Sequence, residues 1–216
     1  MTRTVQQLFD LSGQTALVTG GSRGLGLQMA QALGEAGARV LLVARKRDEL
    51  DEAAQRLQAQ GVEAQWIVAD CAQQADLQRL GAEALQRLGA VDVLVNNAGA
   101  AWGAPAEEHP VEAWDKVMNL NVRGYFLLSQ YLARHCMIAR RRGSIINLAS
   151  IAGLGGNPRG MNTIAYNTSK GAVLNFTRAL AAEWGPHGIR VNAICPGFFP
   201  SRMTRGTLEA LGEERL

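Results

Sequence analysis

Cysteine, histidine and proline are scarce in this 216-residue chain, at three, three and six residues. Cys71, Cys136 and Cys195 lie far apart with no C-x-x-C pair, which excludes a zinc ribbon and a disulfide framework. Three buried thiols in a reducing compartment are expected instead. His109 precedes a proline, His135 falls in a helical stretch and His187 follows Pro186; solvated or capping roles are expected, and no metal. Also missing are an apolar run long enough to cross a bilayer and the apolar stretch of a signal peptide, since the chain opens MTRTVQQLFDLSGQ. A cytoplasmic protein without a membrane partner is expected. Charge of either sign is modest, 22 Lys and Arg against 19 Asp and Glu for a net +3. The basic residues cluster only at Arg45, Lys46, Arg47 and at Arg140, Arg141, Arg142. No basic stripe with interleaved aromatics exists, so nucleic acid is not an expected partner. The second Arg cluster reads as a solvated helix end, favoured there by the helix dipole.

What the chain does have is apolar residues, 47% of the total, enough for a substantial core in one domain spanning 1–216. Short runs rich in Val and Ile start at Thr15 (TALVTG), Ala38 (ARVLLVA), Ala64 (AQWIVAD), Val91 (VDVLVNNAG), Gly143 (GSIINLAS) and Ile189 (IRVNAICPG). Such near-continuous apolar strands are buried on both faces, as in a parallel sheet covered by helices. Helical periodicity fills the gaps, over Gly24 to Ala36, Arg47 to Gln60, Ala72 to Leu88, Val111 to Arg142 with a possible break, and Thr163 to Trp184. This alternation predicts an α/β fold, a doubly wound, Rossmann-like parallel sheet with helices on both faces and right-handed crossovers.

The first strand runs into TGGSRGLG, Thr19 to Gly26. Glycines at 20, 24 and 26 let the backbone turn sharply and approach a pyrophosphate, and the helix that follows offers free N–H groups and a positive dipole end. The spacing is not the usual G-x-G-x-x-G. At the end of the second strand, where an acid would hold the ribose 2′-OH of NAD, stand Ala44 and Arg45, and Arg23 lies in the glycine loop. Two guanidiniums suit a 2′-phosphate, so NADP(H) is expected over NAD(H). Asp70, closing the third strand, either hydrogen-bonds the adenine or caps the next helix. Further along, AYNTSKGA places Tyr166 and Lys170 at i and i+4, on one helix face. A phenol of pKa ~10 carries protons poorly at neutral pH; an adjacent cation favours the phenolate, and a shift of ~3 units needs ~4 kcal/mol.

TGGSRGLG, NNAG (Asn96 to Gly99), Asn121, Ser150, YNTSK (Tyr166 to Lys170) and CPG (Cys195 to Gly197) occur in the order and spacing of the short-chain dehydrogenase/reductases, which the chain resembles from about Leu11 to Met203. The resemblance implies an enzyme that interconverts a ketone and a secondary alcohol. Tyr166 would be the proton donor and acceptor, Ser150 a hydrogen-bond partner of the substrate oxygen, and Lys170 a ligand of the nicotinamide ribose. Asn121 rather than Asn119 would hold a water leading from Lys170 to solvent, because its distance to Phe126 fits the family pattern. Cofactor contacts are implied at Thr19, Gly20, Ser22, Arg23, Gly24, Leu25, Gly26, Arg45, Asp70, Cys71, Asn97, Ala98, Gly99, Tyr166, Lys170, Pro196, Gly197 and Ser201. The NNAG asparagines are also expected to tie strands together.

Substrate walls are implied at Ala101, Trp102, Ile151 to Asn162 and Phe198 to Leu211, with Arg159, Arg202 and Arg205 available to an anion. The loop and lid resemble both gluconate 5-dehydrogenase-like members and 3-oxoacyl-thioester reductases, with a slight lean to a sugar acid or polyol. A homodimer or homotetramer is also implied. Two features depart from the pattern: the loop between Ser150 and Tyr166 is longer than usual, and the chain stops at Leu216, short of the family's last helix and strand. A nucleotide-binding regulatory protein without turnover is the rival reading, weakened by the presence of all four catalytic residue types.

Overall fold

The computed structural model describes residues 4–158 and 160–199. Six strands, β1 (Thr15–Thr19), β2 (Arg39–Ala44), β3 (Ala64–Val68), β4 (Val93–Asn96), β5 (Gly143–Leu148) and β6 (Ile189–Ile194), form one sheet in the order β3-β2-β1-β4-β5-β6. Every pairing is parallel. The chain winds outward from β1 in one direction, then restarts at β4 and winds in the other. That reversal leaves a crevice between the C-terminal ends of β1 and β4, the place where open α/β sheets bind ligands.

The strand period of two sorts side chains into two cores. Leu17, Leu41, Val43, Leu94 and Ile145 belong to one cluster, with Leu77, Leu80, Leu128, Leu132, Leu180 and Trp184 from α4 (Gln74–Leu88), α6 (Gly124–Leu132) and α8 (Ile164–Trp184). Their neighbours Ala16, Val18, Val40, Leu42, Val93 and Val95 belong to the other, with Ala30 from α2 (Gly24–Glu35) and Leu50, Ala53 and Leu57 from α3 (Arg47–Gln58). The strands are therefore apolar on both faces because each face carries a helical layer. At the β6 edge, among the described residues, this cover is incomplete: Arg190, Asn192 and Ile194 are exposed.

The strand predictions match within two residues at each start. A short α1 (Val5–Phe9), closed by a capping box between Thr4 and Gln7, is not foreshadowed by any apolar stripe, and none of its residues is buried. The long helical stretch is not broken but rewound. After α5 (Val111–Met118) come π-helical turns at Asn119–Arg123 and Ala133–Met137, flanking α6, before α7 (Ile138–Arg140). Each π turn adds a residue to the rod without ending it, so periodicity alone detects a helix and not the shift.

Two other expectations are corrected. The Arg140–Arg142 cluster is not simply solvated: Arg140 Nη2 lies 3.0 Å and Arg142 Nε 3.6 Å from Asp92 Oδ1, and the Asp92 side chain is only 5% exposed. The other oxygen, Oδ2, accepts the Thr15 N–H at 3.0 Å and the Thr15 hydroxyl at 3.2 Å. This carboxylate ties the N-terminal end of β1 to the helix that precedes β5. His109 is not solvated either, since both ring nitrogens are buried with no hydrogen-bond partner among the described residues and the ring meets Trp114 edge-on. Of the three thiols, Cys71 and Cys136 are buried and Cys195 is only half-buried; all are free.

Asp92→Ala is expected to lower the unfolding free energy by about 2–3 kcal/mol, because it strands the buried Thr15 N–H as well as breaking the ion pairs. Arg142→Ala, at the longer and more exposed contact, should cost under about 1 kcal/mol. Urea denaturation of both variants measures this, and equal losses would contradict the assignment of the buried N–H as the larger contribution.

Candidate active site

An open cleft of about 340 Å³ lies at the C-terminal ends of β1, β4 and β5. Gly20, at φ +64, turns the chain out of β1. A Cβ on Gly26 would run into the Gly20 carbonyl and the Asn97 amide, so the first turn of α2 packs against the β1 and β4 ends only because position 26 has no side chain. No side chain caps α2 at its N-terminus, and the 12-residue helix opens on the cleft through Gly24, Leu25 and Gly26. Uncapped N–H groups, a dipole end and lining cations at Arg23, Arg45 and Lys46 form a set of donors that fits a dinucleotide's phosphates.

Most of the residues implicated by sequence line this cleft: Gly20, Ser22, Arg23, Gly24, Leu25, Gly26, Arg45, Asp70, Cys71, Asn97, Ala98, Gly99, Ser150, Tyr166, Lys170, Pro196 and Gly197. Thr19 does not. Its buried hydroxyl donates to the Val95 carbonyl at 3.2 Å and accepts the N–H groups of Asn97 and Ala98 at 2.9 and 3.1 Å, so it holds β1 to the strand beyond the crevice. The NNAG asparagines tie strands as expected: Asn96 Nδ2 donates to Asn147 Oδ1 on β5 at 2.9 Å, and Asn97 Nδ2 donates to the carbonyls of Thr19 and Gly20. Asp70 does not cap the next helix, whose N-cap is Gln73 with no side-chain cap; it lines the cleft, and its Oδ1 accepts the Ala72 N–H at 3.0 Å within the loop before α4. Cys71 borders the cleft with a buried thiol pushed up to about 12, chiefly by burial. Ser201, Arg159, Arg202 and Arg205 lie outside the described residues, as does most of the segment expected to form a lid.

Tyr166 and Lys170 share a face of α8, as i and i+4 require, with the Lys170 Nζ 5.5 Å from the phenol ring and 5.7 Å from the ring of Tyr125. The ammonium is buried and donates to the Leu148 carbonyl at the end of β5. Burial pushes it down to about 8, while nearby Cys195 acts the other way. The phenol is raised above 10, not lowered: burial dominates, and the adjacent Ser150 hydroxyl pulls it down less strongly. The expected acidification by Lys170 is therefore absent from this arrangement. The ammonium points at a peptide carbonyl, and desolvation costs the phenolate more than the distant cation returns.

Ser150 sits at the C-terminal side of β5, where its oxygen also accepts the Ala152 N–H at 3.2 Å. Asn121 is wholly buried inside the first π turn. Its Oδ1 accepts the Ala100 N–H at 2.8 Å, and its Nδ2 donates to Ala100 O and Ser169 Oγ, both at 2.9 Å. Both amide hydrogens are committed, so the side chain fastens the loop after β4 to α8 and has one lone pair left for a water. It does not line the cleft.

Three features escaped sequence reasoning. Glu49, in the first turn of α3, lines the cleft and receives Arg23 Nη1 on both oxygens at 3.0 Å and Lys46 Nζ on Oε1 at 3.0 Å. Asn167, inside YNTSK, exchanges amide hydrogen bonds with Asn157 at 2.9 Å and donates to the Ala152 carbonyl, anchoring the long loop after β5 onto α8. Leu120 adds apolar lining, beside Phe199 from the segment expected as a substrate wall. Only Asn167 had a local signal, its place between two motif residues.

Comparison with known proteins agrees with this geometry. The short chain dehydrogenase family model matches residues 14–211. Gluconate 5-dehydrogenase of Gluconobacter oxydans is 42% identical over 198 residues, covering 91% of this chain and 75% of its own. The 3-oxoacyl-(acyl-carrier-protein) reductase of rhamnolipid biosynthesis from Pseudomonas aeruginosa is 47% identical over 201 residues, covering 91% and 77%. A gluconate 5-dehydrogenase from Burkholderia cenocepacia, solved with NADP and tartrate, superposes with a TM-score of 0.90 at 34% identity, covering 98% of this chain and 81% of that one. An NAD⁺-bound xylitol dehydrogenase gives 0.87 at 35%, covering 93% and 77%. With its parallel sheet, its glycine turn at the crevice and Ser150, Tyr166 and Lys170 on one wall, the chain belongs to the short-chain dehydrogenase/reductase family of oxidoreductases.

Proposed function

We propose that the protein interconverts a ketone and a secondary alcohol with NADP(H) as the preferred cofactor. The observation that carries this reading is the convergence of Ser150, Tyr166 and Lys170 on the cleft that the uncapped N-terminus of α2 also faces. The cofactor, when bound, supplies or accepts the hydride at its nicotinamide ring. Gly20, Ser22, Gly24, Leu25 and Gly26 hold the pyrophosphate, and Arg23 and Arg45 favour a 2′-phosphate on the adenosine ribose. Asn97, Ala98, Gly99, Pro196 and Gly197 border the nicotinamide half, and Lys170 holds its ribose. Tyr166 passes the phenolic proton to the carbonyl oxygen in reduction and recovers it from the alcohol in oxidation. Ser150 donates a hydrogen bond to that oxygen as negative charge builds on it. A phenol held above its ordinary pKa stays protonated at neutral pH but is a weak donor, so the bound ligands must supply the charge that makes it a better one. Self-association through the helices over 111–140 and 164–184, where Phe126 is exposed, completes the reading.

On substrate class, sequence leans to a sugar acid or polyol, but the rim favours the second resemblance. Among the described residues, the exposed apolar side chains at the catalytic end of the cleft include Phe199, which lines it, and Ile151, which packs on Gly197. A polyhydroxylated substrate would leave its hydroxyls unpaired against them, whereas a 3-oxoacyl thioester would bury its chain there.

Loss of absorbance at the reduced-nicotinamide band, with acetoacetyl-CoA and 5-ketogluconate as paired substrates, tests both levels. A higher kcat/KM on the thioester is expected; the reverse ratio would restore the sugar acid. On whichever substrate turns over, Tyr166→Phe should lower kcat by about 10²–10⁴ while NADPH binding changes little, and retained turnover would remove Tyr166 as the proton carrier. NADPH affinity has a pH signature. Lys170 is protonated below about 8 and can then donate to a ribose hydroxyl, so affinity should fall as pH rises through 8, and Lys170→Met should erase that limb. An affinity of the parent protein that stays flat to pH 9.5 would contradict this role.

A further inference from the structure

We infer that Glu49 sets how far this cleft discriminates between a phosphorylated and an unphosphorylated adenosine ribose. The inference rests on the reading of the cleft as a nicotinamide dinucleotide site. In that reading a 2′-phosphate needs the cations that line the adenosine end, Arg23, Arg45 and Lys46. Two of the three are already taken. Arg23 Nη1 stands 3.0 Å from both Glu49 oxygens, Lys46 Nζ stands 3.0 Å from Oε1, and the Ser22 hydroxyl approaches Oε2 at 3.5 Å. The carboxylate bridges the glycine loop and the turn after β2, at Arg23 and Lys46, 26 and 3 residues away in sequence. The other charged groups nearby do not substitute for it: Asp48 shares the first turn of α3, Arg47 lies over the Trp66 ring, and Asp70 holds the Ala72 N–H.

The consequence differs for the two ligands. A phosphate dianion must draw Arg23 and Lys46 away from Glu49 and then sit beside a like charge, so the carboxylate opposes it twice. A 2′-hydroxyl asks for no such release and donates a hydrogen bond to the same oxygens. Glu49 thus does from the first turn of a helix what an acid at the end of the second strand does in NAD-binding folds, where this chain carries Ala44 and Arg45. The cations favour NADPH, Glu49 favours NADH, and the net preference is the difference.

Calorimetric titration of NADPH, NADH, 2′,5′-ADP and 5′-ADP against the parent protein, Glu49→Gln and Arg45→Asp tests the assignment. Glu49→Gln keeps the side-chain size and removes the charge. Two part-exposed ion pairs are released by it, so NADPH and 2′,5′-ADP should bind about five- to tenfold more tightly while NADH and 5′-ADP weaken or hold. Arg45→Asp should move the ratio the opposite way. If Glu49→Gln weakens NADPH binding, the carboxylate organises the cations instead of competing for them and the inference is overturned; an unchanged ratio overturns it equally. A shift with Arg45→Asp alone would leave the cofactor reading standing without Glu49, whereas a parent protein that binds none of the four ligands removes that reading itself. Should the Gln variant be unstable, Glu49→Asp, which withdraws the carboxylate by one methylene, must shift the ratio in the same direction.

Discussion

The constraint on which the rest depends is the closure of β1 onto β4 at the crevice. A doubly wound sheet leaves its two halves splaying apart where the winding reverses, and the peptide groups there face a gap. In this protein the gap is bridged by a threonine and an asparagine. Thr19 Oγ1 takes two N–H groups from the far side and gives its own hydrogen to Val95, while Asn97 Nδ2 returns to the carbonyls of Thr19 and Gly20. This lattice fixes the glycine turn, and the absent side chain at Gly26 lets α2 descend onto it. The uncapped N–H groups then face the crevice. Thr19 is essential to that arrangement without touching the cleft, which is why a motif that includes it reads as a binding residue when its work is done one layer below.

The same logic runs along β4 and β5. Asn96, Asn147 and Thr177 form a buried chain from β4 through β5 to α8, with Ser129 of α6 joined at Asn96. Buried polar networks are costly unless every member is satisfied, and satisfied ones fix register more sharply than apolar packing. A slip of β5 by one residue would turn Asn147 away from Asn96 and shift Ser150 relative to Tyr166. Asn121 and the Asn157–Asn167 pair extend the principle to loops, fastening the segments after β4 and β5 onto the π turn and α8. Tyr166 and Lys170 sit on α8 and Ser150 just past the end of β5, and the loops around them are pinned by amides.

How much of this was legible in the sequence follows from the range of each interaction. Strand runs, the α2 glycine turn and the Tyr166–Lys170 spacing are local, and periodicity read them correctly. The Asp92 pairs with Arg140 and Arg142, the Glu49 contact with Arg23 and the commitment of Asn121 to Ala100 join residues 20 or more positions apart, and nothing in a single chain's spacing reports them. The π turns were missed for a different reason, since one extra residue in a helix preserves the apolar stripe well enough to pass. At Tyr166, the i and i+4 spacing does not bring electrostatic relief, since the Lys170 Nζ turns to the Leu148 carbonyl and burial raises the phenol.

Burial acts on both members of the Tyr166–Lys170 pair toward neutrality, raising the phenol and lowering the ammonium to about 8. A wall so arranged holds its proton tightly, and the charge that would loosen it must come from outside the pair. At the opposite end of the cleft the balance is reversed: Arg23 and Lys46 are exposed and strongly paired to Glu49, so entering charge is met by competition and not by desolvation. On the proposed function the two ends would control different steps: the buried end proton delivery, through pKa values set by packing, and the exposed end the choice of dinucleotide, through an ion-pair exchange that salt and a single carboxylate can tune. Changes at Glu49 should accordingly move cofactor choice while leaving Ser150, Tyr166 and Lys170, more than 100 residues further along the chain, undisturbed, a separation that the sheet's reversal between β1 and β4 makes possible.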